Sequence, residues 1–127
     1  MKSRIQKEAK TLLYHLSETE KGETIRRILE EHSVLALDLK ESLLEATVAD
    51  CLNQTAEPVP KSQTVFEREA VVFHNVDGKV LERILSKMRE LGVMVELKAV
   101  TTKYNLSWKC IDLFRELEEE ERQINQK

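Results

Sequence analysis

Apolar residues fall into two successive rounds of short runs and helical stripes, one on each side of a proline-marked stretch. In the first round Thr11-Leu12-Leu13-Tyr14-His15-Leu16 predicts a strand. Ser17-Glu18-Thr19-Glu20 fits a capping box, with the Ser17 hydroxyl accepting from the N–H three residues on and Glu20 reaching back. The helix opened there runs to about Glu31. Its stripe of Ile25, Ile28 and Leu29, with His32 on the same side, is narrow, so one edge is buried and the rest is surface. Val34 to Leu39 predicts a second strand, and Ser42-Leu43-Leu44-Glu45 a second capping box opening a helix to about Leu52.

Residues 53–64 contain both prolines, Pro58 and Pro60, and show neither helical nor strand periodicity. Proline lacks an N–H and restricts the residue before it, so this stretch reads as an extended linker and everything outside it as regular structure. The second round begins with a strand over Ala70 to Val76. Asp77 is a good N-cap and Gly92 a good helix stop. Between them Val80, Leu81, Ile84, Leu85, Met88 and Leu91 form a wide apolar face. Val93 to Val100 alternates, which places Val93, Val95, Leu97 and Ala99 on one side. Asn105 then reads as the cap of a long helix carrying Leu106, Cys110, Ile111, Leu113, Phe114 and Leu117.

Shifting the first round by 59 positions lays Tyr14 on Phe73, His15 on His74, Ile25 on Ile84, Leu29 on Met88 and Val34 on Val93. The chain therefore reads as a single domain, 1–127, made of two degenerate βαβα repeats, 11–52 and 70–121, joined by the linker 53–64. Each half has too little apolar surface to stand alone, so the two should share one sheet. The expected class is α+β, a ferredoxin-like α/β sandwich with a four-stranded sheet and helices mainly on one face. The alternative is a doubly wound, all-parallel α/β sheet, which needs strands apolar on both sides. His15, Asp38, Glu96 and Lys98 give several strands a mixed second face, which favours a sheet open on one side. Pattern alone leaves open whether neighbouring strands run parallel or antiparallel.

Composition narrows the function classes. The 127 residues hold 20 Lys+Arg against 23 Asp+Glu, a net charge of −3, with 41% hydrophobic residues. That balance argues against disorder. Residues 1–63 carry 9 basic and 11 acidic side chains and residues 64–127 carry 11 and 12, interspersed, so there is no basic stripe for nucleic acid. No apolar run approaches a membrane span, and the start, Met1 to Glu8, lacks the apolar core of a signal peptide. These features predict a cytoplasmic protein with free thiols. Only three glycines occur, so no glycine-rich phosphate cradle can be built, and no nucleophile-elbow, P-loop or dinucleotide motif is present.

Four features could carry chemistry. His15 and His74 would be pseudo-equivalent on the mixed face of neighbouring strands and could share a metal, although no paired-histidine spacing supports it. Cys51 and Cys110 sit in different helices outside any CxxC pair and read as small buried thiols. Glu118-Glu119-Glu120-Glu121 reads as a solvated helix end, poorly placed for the helix dipole and offset in part by Arg122 and Lys127. The most distinctive segment is Lys98 to Trp108. There a strand ends in Thr101 and Thr102, and a helix start at Asn105 could hold a small anion with Thr101, Thr102, Lys103 and Ser107 around it. Trp108 lies off the apolar stripe of the helix and is expected to fold back over the turn near Tyr104, or else to mark a contact surface.

The same segment resembles the hallmark of a small bacterial family of uncharacterised proteins, K-A-x-x-T-x-x-N-x-x-W followed by a leucine-rich helix ending in acids. Lys98, Ala99, Thr101 or Thr102, Asn105 and Trp108 match it, with Leu113-Phe114-Arg115-Glu116-Leu117 after them. The usual proline between the threonine and the asparagine is replaced by Lys103-Tyr104. The resemblance covers roughly residues 70–121 and implies kinship and a fold but no reaction. The function expected is that of a non-enzymatic interaction or dimerisation module, a homodimer through the open sheet face or the last helix, with no cofactor. A small-ligand or anion sensor using the Thr101–Asn105 turn is the alternative.

Overall fold

The computed structural model describes residues 8–125. Met1 to Lys7, where the start was read as no signal peptide, and Lys127 lie outside them. The order is β1 (Lys10–Tyr14), α1 (Glu20–Glu31), β2 (Leu35–Leu39), α2 (Val48–Leu52), β3 (Ala70–His74), α3 (Gly78–Glu90), β4 (Leu97–Val100) and α4 (Cys110–Asn125). Short 3-10 turns, Glu41–Leu43 and Asn105–Ser107, precede α2 and α4. Among the described residues the fold is α+β, four helices on one four-stranded mixed sheet.

The sheet order is β2-β1-β3-β4. β1 pairs parallel with β2, β3 pairs parallel with β4, and β1 pairs antiparallel with β3. In a ferredoxin-like sheet each βαβ unit is split by a strand of the other. Here the strands of each unit are direct neighbours, so the ferredoxin-like order is replaced by two intact βαβ units placed back to back. The antiparallel centre equally excludes an all-parallel doubly wound sheet.

That centre has approximate twofold symmetry. Lys10 pairs with His74, Tyr14 with Ala70, and Leu12 with Val72 in the middle. The relation continues one layer out, where Thr47 and Lys109 form an isolated antiparallel bridge just before α2 and α4. Val48 N–H donates to the Trp108 carbonyl and Cys110 N–H to the Ala46 carbonyl, both at 2.9 Å.

Both faces of the sheet are covered, which corrects the expected open face. Leu12, Tyr14, Leu39, Ala70, Val72 and Leu97 join a core with Val48, Leu52, Ile111 and Phe114 from α2 and α4. Leu13, Val71 and Phe73 point the other way, into a second core with Ile25, Ile28, Leu29, Ile84 and Met88 from α1 and α3. The central strands are thus apolar on both sides, as a sheet between two helical layers requires. The polar residues that suggested an open face lie elsewhere. Asp38 and Lys98 are on the edge strands, Glu96 precedes β4, and His15 follows β1.

Local signals fared unevenly. Asp77 caps α3, accepting from Lys79 N–H, and Gly92 ends it at φ +72. The N-cap of α1 is Thr19, whose hydroxyl accepts from Gly22 N–H, and not Ser17. Ser42 caps nothing: the chain makes a 3-10 turn there and α2 starts later, capped by Thr47. Likewise Asn105 opens a 3-10 turn, and the long helix begins only at Cys110. Irregular backbone extends past the linker to residue 69. The alternation read from Val93 to Val100 breaks at a bend on Glu96. Val93 and Val95 join the α1/α3 core, whereas Leu97 joins the α2/α4 core.

Candidate functional site: the strand ends and the turn after β4

Each βαβ unit leaves a crevice beyond the carboxyl ends of its two parallel strands, the usual ligand position in sheets of this kind. Because the units are antiparallel, the crevices open at opposite ends of the sheet. One, of about 460 Å³, is lined by His74, Asn75, Thr101, Thr102, Lys103 and Leu106. The other, of about 610 Å³, includes Tyr14, His15, Thr19, Asp38, Glu41 and Glu69. The same topology separates the two histidines. His74 ends β3 opposite Lys10, while His15 follows Tyr14, which faces Ala70. A metal shared by His15 and His74 is therefore ruled out by strand direction. Among the described residues no group of three or more His, Cys, Asp or Glu side chains is placed to hold a metal ion.

In the β3–β4 crevice His74 Nδ1 lies 2.8 Å from Thr101 Oγ1. The Thr101 N–H donates to the Phe73 carbonyl and ends the β ladder. Beyond it Thr102 and Asn105 lock to each other. Asn105 Oδ1 accepts from Thr102 N–H at 2.8 Å, and Thr102 Oγ1 accepts from the N–H groups of Asn105 and Tyr104 at 3.0 and 3.1 Å. Asn105 Nδ2 donates to the Val100 carbonyl at 3.3 Å. Side chains of this kind supply the backbone with local partners and fix a turn. Thr102 and Asn105, two of the groups expected to receive an anion, thus already bond within the turn, and Thr101 bonds to His74.

This closed turn displays apolar surface. Val100 is 50% exposed, Tyr104 68% and Trp108 39%. Lys103 Nζ sits 5.2 Å from the centre of the Tyr104 ring, a cation–π contact. Trp108 is half out in solvent, while its carbonyl is tied to α2 through Val48.

Three arrangements escaped the sequence reading. Arg68 donates to Glu96 at 2.5 Å, Glu118 at 3.3 Å and Glu121 at 2.8 and 3.0 Å, so two carboxylates of the acidic run share one guanidinium while staying partly exposed. The spacing of Glu118 and Glu121, one helical turn apart, was the available signal. Glu45, read as a capping-box residue, instead accepts from Ser62 at 3.1 Å and from Thr64, tying the linker down. These hydrogen bonds, Thr64 first, hold its carboxyl below the usual range. Finally, Cys51 and Cys110 meet. Both are buried, and the Cys110 thiol donates to the Cys51 sulfur at 3.7 Å. That bond lowers the Cys51 pKa, and together with burial it pushes Cys110 up.

Residues 69–124 match the model of a family described as a domain of unknown function (DUF3783). The match spans β3 to α4 and includes the turn just described. No curated protein and no solved structure matches the chain. Similarity therefore assigns no activity. No helix among the described residues is long and apolar enough to cross a membrane.

Proposed function

We propose that the chain is a non-enzymatic protein-binding module of the bacterial cytoplasm, and that its contact surface is the β4 edge with the turn after it. The observation carrying this reading is the display of Val100, Tyr104 and Trp108 within nine residues, on a turn held by its own hydrogen bonds. Large side chains presented on rigid backbone lose little entropy on binding, and aromatic residues dominate the energetics of interfaces. Among the described residues β4 is also an edge strand, with β3 on one side and no strand on the other. An edge of this kind can accept a further strand. A second copy is the simplest partner, and with both sheet faces covered it would dock at this edge rather than on a face.

Sedimentation of wild type and of a Tyr104→Ser/Trp108→Ser double variant tests this. A wild-type dimer reduced to monomer by the substitutions is the expected result. A wild-type chain that stays monomeric at high concentration overturns self-association.

The second reading, a small-anion sensor, rests on the crevice rim of His74, Thr101 and Lys103. Phosphate or a carboxylate should then raise the melting temperature, and Thr101→Val with Lys103→Ala should abolish the rise. An unchanged rise in that variant would place the ligand elsewhere.

A further inference from the structure

The chain has only two cysteines, 59 positions apart, and the fold brings their sulfurs to 3.7 Å inside the α2/α4 core. Cys51 lies in α2, and Cys110 is the first residue of α4. Their approach is held by backbone rather than by side chains alone. The Thr47–Lys109 bridge precedes both helices, and the Cys110 N–H itself donates to the Ala46 carbonyl. A disulfide needs the sulfurs at about 2 Å, a closure within reach of side-chain rotation when the backbone already holds the pair together. The two thiols also differ in access, Cys51 being 6% exposed and Cys110 1%.

We propose that Cys51 and Cys110 form a redox-closable pair, in which peroxide converts the two thiols into a disulfide that staples α2 to α4. Cys51, the more accessible and more acidic thiol, attacks as the thiolate. Its sulfur bonds to one peroxide oxygen, the O–O bond breaks, and the other oxygen leaves as water after taking a proton, giving a sulfenic acid. The Cys110 sulfur then attacks the Cys51 sulfur, the S–O bond breaks, and that oxygen departs as a second water carrying the Cys110 proton. Two sulfurs lose two electrons in total, and one peroxide is reduced to two water molecules. The product closes a loop spanning most of the second half of the chain, including the linker, β3, α3 and β4. Long closed loops constrain the unfolded chain most.

The test uses the full chain, purified reduced and then treated with a small excess of hydrogen peroxide. Both thiols should become untitratable in denaturant, and the intact mass should fall by two hydrogens. A non-reducing peptide map should join the Cys51 and Cys110 peptides within one chain. Melting should rise by about 5–10 °C and return with a dithiol reductant. Cys51→Ser should keep the Cys110 thiol, Cys110→Ser should stop at oxygen added to Cys51, and both should lose the rise. The peptide map of wild type decides the matter even if a serine variant folds poorly. Two thiols that stay titratable, oxygen added to Cys51 without a crosslink, or a disulfide between chains would each overturn the proposal.

Discussion

Gly22 packs so closely against Leu16 that a Cβ at Gly22 would stand 2.0 Å from the Leu16 carbonyl oxygen and 3.0 Å from Thr19 Oγ1. Thr19 holds the chain there. Its hydroxyl donates to that same carbonyl at 2.8 Å and accepts from Gly22 N–H at 2.9 Å. Gly22 sits inside α1, where alanine is the better helix former by about 1 kcal/mol. The contact reverses that sign, because the atom met is backbone and is fixed by the cap. Gly22→Ala should cost about 2–4 kcal/mol in urea unfolding. A variant as stable as wild type would show that the Leu16–Thr19 segment yields easily.

Tyr14 lies under the linker end, its hydroxyl donating to the Phe66 carbonyl at 2.5 Å, and packs beside the rings of Phe66 and Phe114. Burial, helped by Glu41, pushes its pKa up to about 12. The folded protein therefore holds this proton more tightly than the unfolded chain, whose tyrosine titrates near 10. Stability from this group is complete below about pH 10 and is lost as pH rises toward 12, by about 1.4 kcal/mol per pH unit. Tyr14→Phe should cost about 1–3 kcal/mol at neutral pH by leaving the Phe66 carbonyl without its donor. It should also flatten the loss between pH 10 and 12. An unchanged alkaline slope in the variant would assign that loss to other groups.

Arg68 gathers Glu96, Glu118 and Glu121, linking the segment before β3 to α4. The guanidinium pulls Glu121 below the usual carboxylate range. A carboxylate with a lowered folded pKa contributes stability above its unfolded pKa and loses it as pH falls through the folded value. Arg68→Ala should accordingly lower the melting temperature by a few degrees near neutral pH and low salt, with the gap shrinking in high salt and in acid. The pair is partly exposed, so the effect is a screened one. A gap that persists unchanged in high salt would mean that Arg68 acts through its packed stem.

What the sequence disclosed follows from how local each cause is. The φ +72 of Gly92 and the capping of α3 by Asp77 depend on a few neighbouring residues, and both were legible. Ser17 and Ser42 carried the same kind of signal and failed, because Thr19 and Thr47 stand nearer the first turn that tertiary packing allows. The second face of the sheet was misread for a related reason. Asp38, Glu96 and Lys98 are polar because they lie on edge strands or at a bend, and edge position is set by strand order, which periodicity does not encode. The pairing of Arg68 with α4 and of Cys51 with Cys110 spans about 50 to 60 positions, and only the folded chain reveals it. The turn at Thr101–Trp108 is distinctive in the sequence for its threonines, asparagine and tryptophan. Its internal hydrogen bonds show that Thr102 and Asn105 shape the backbone first.

That distinction makes Asn105 the residue on which the binding reading can be separated from stability. Its amide bonds in both directions, accepting from Thr102 N–H and donating to the Val100 carbonyl. These bonds are solvent-exposed, so losing them should cost only about 0.5–1.5 kcal/mol. Their loss frees the turn that carries Tyr104 and Trp108, and a mobile turn must be ordered again on binding. Asn105→Ala should therefore weaken self-association, read by sedimentation, by more than its unfolding free energy accounts for. Asn105→Asp keeps the acceptor for Thr102 and loses the donor to Val100, so it should fall between Asn105→Ala and wild type. Equal dimer affinity across all three proteins, with Tyr104→Ser/Trp108→Ser still monomeric, would show that the side chains bind without the turn's rigidity.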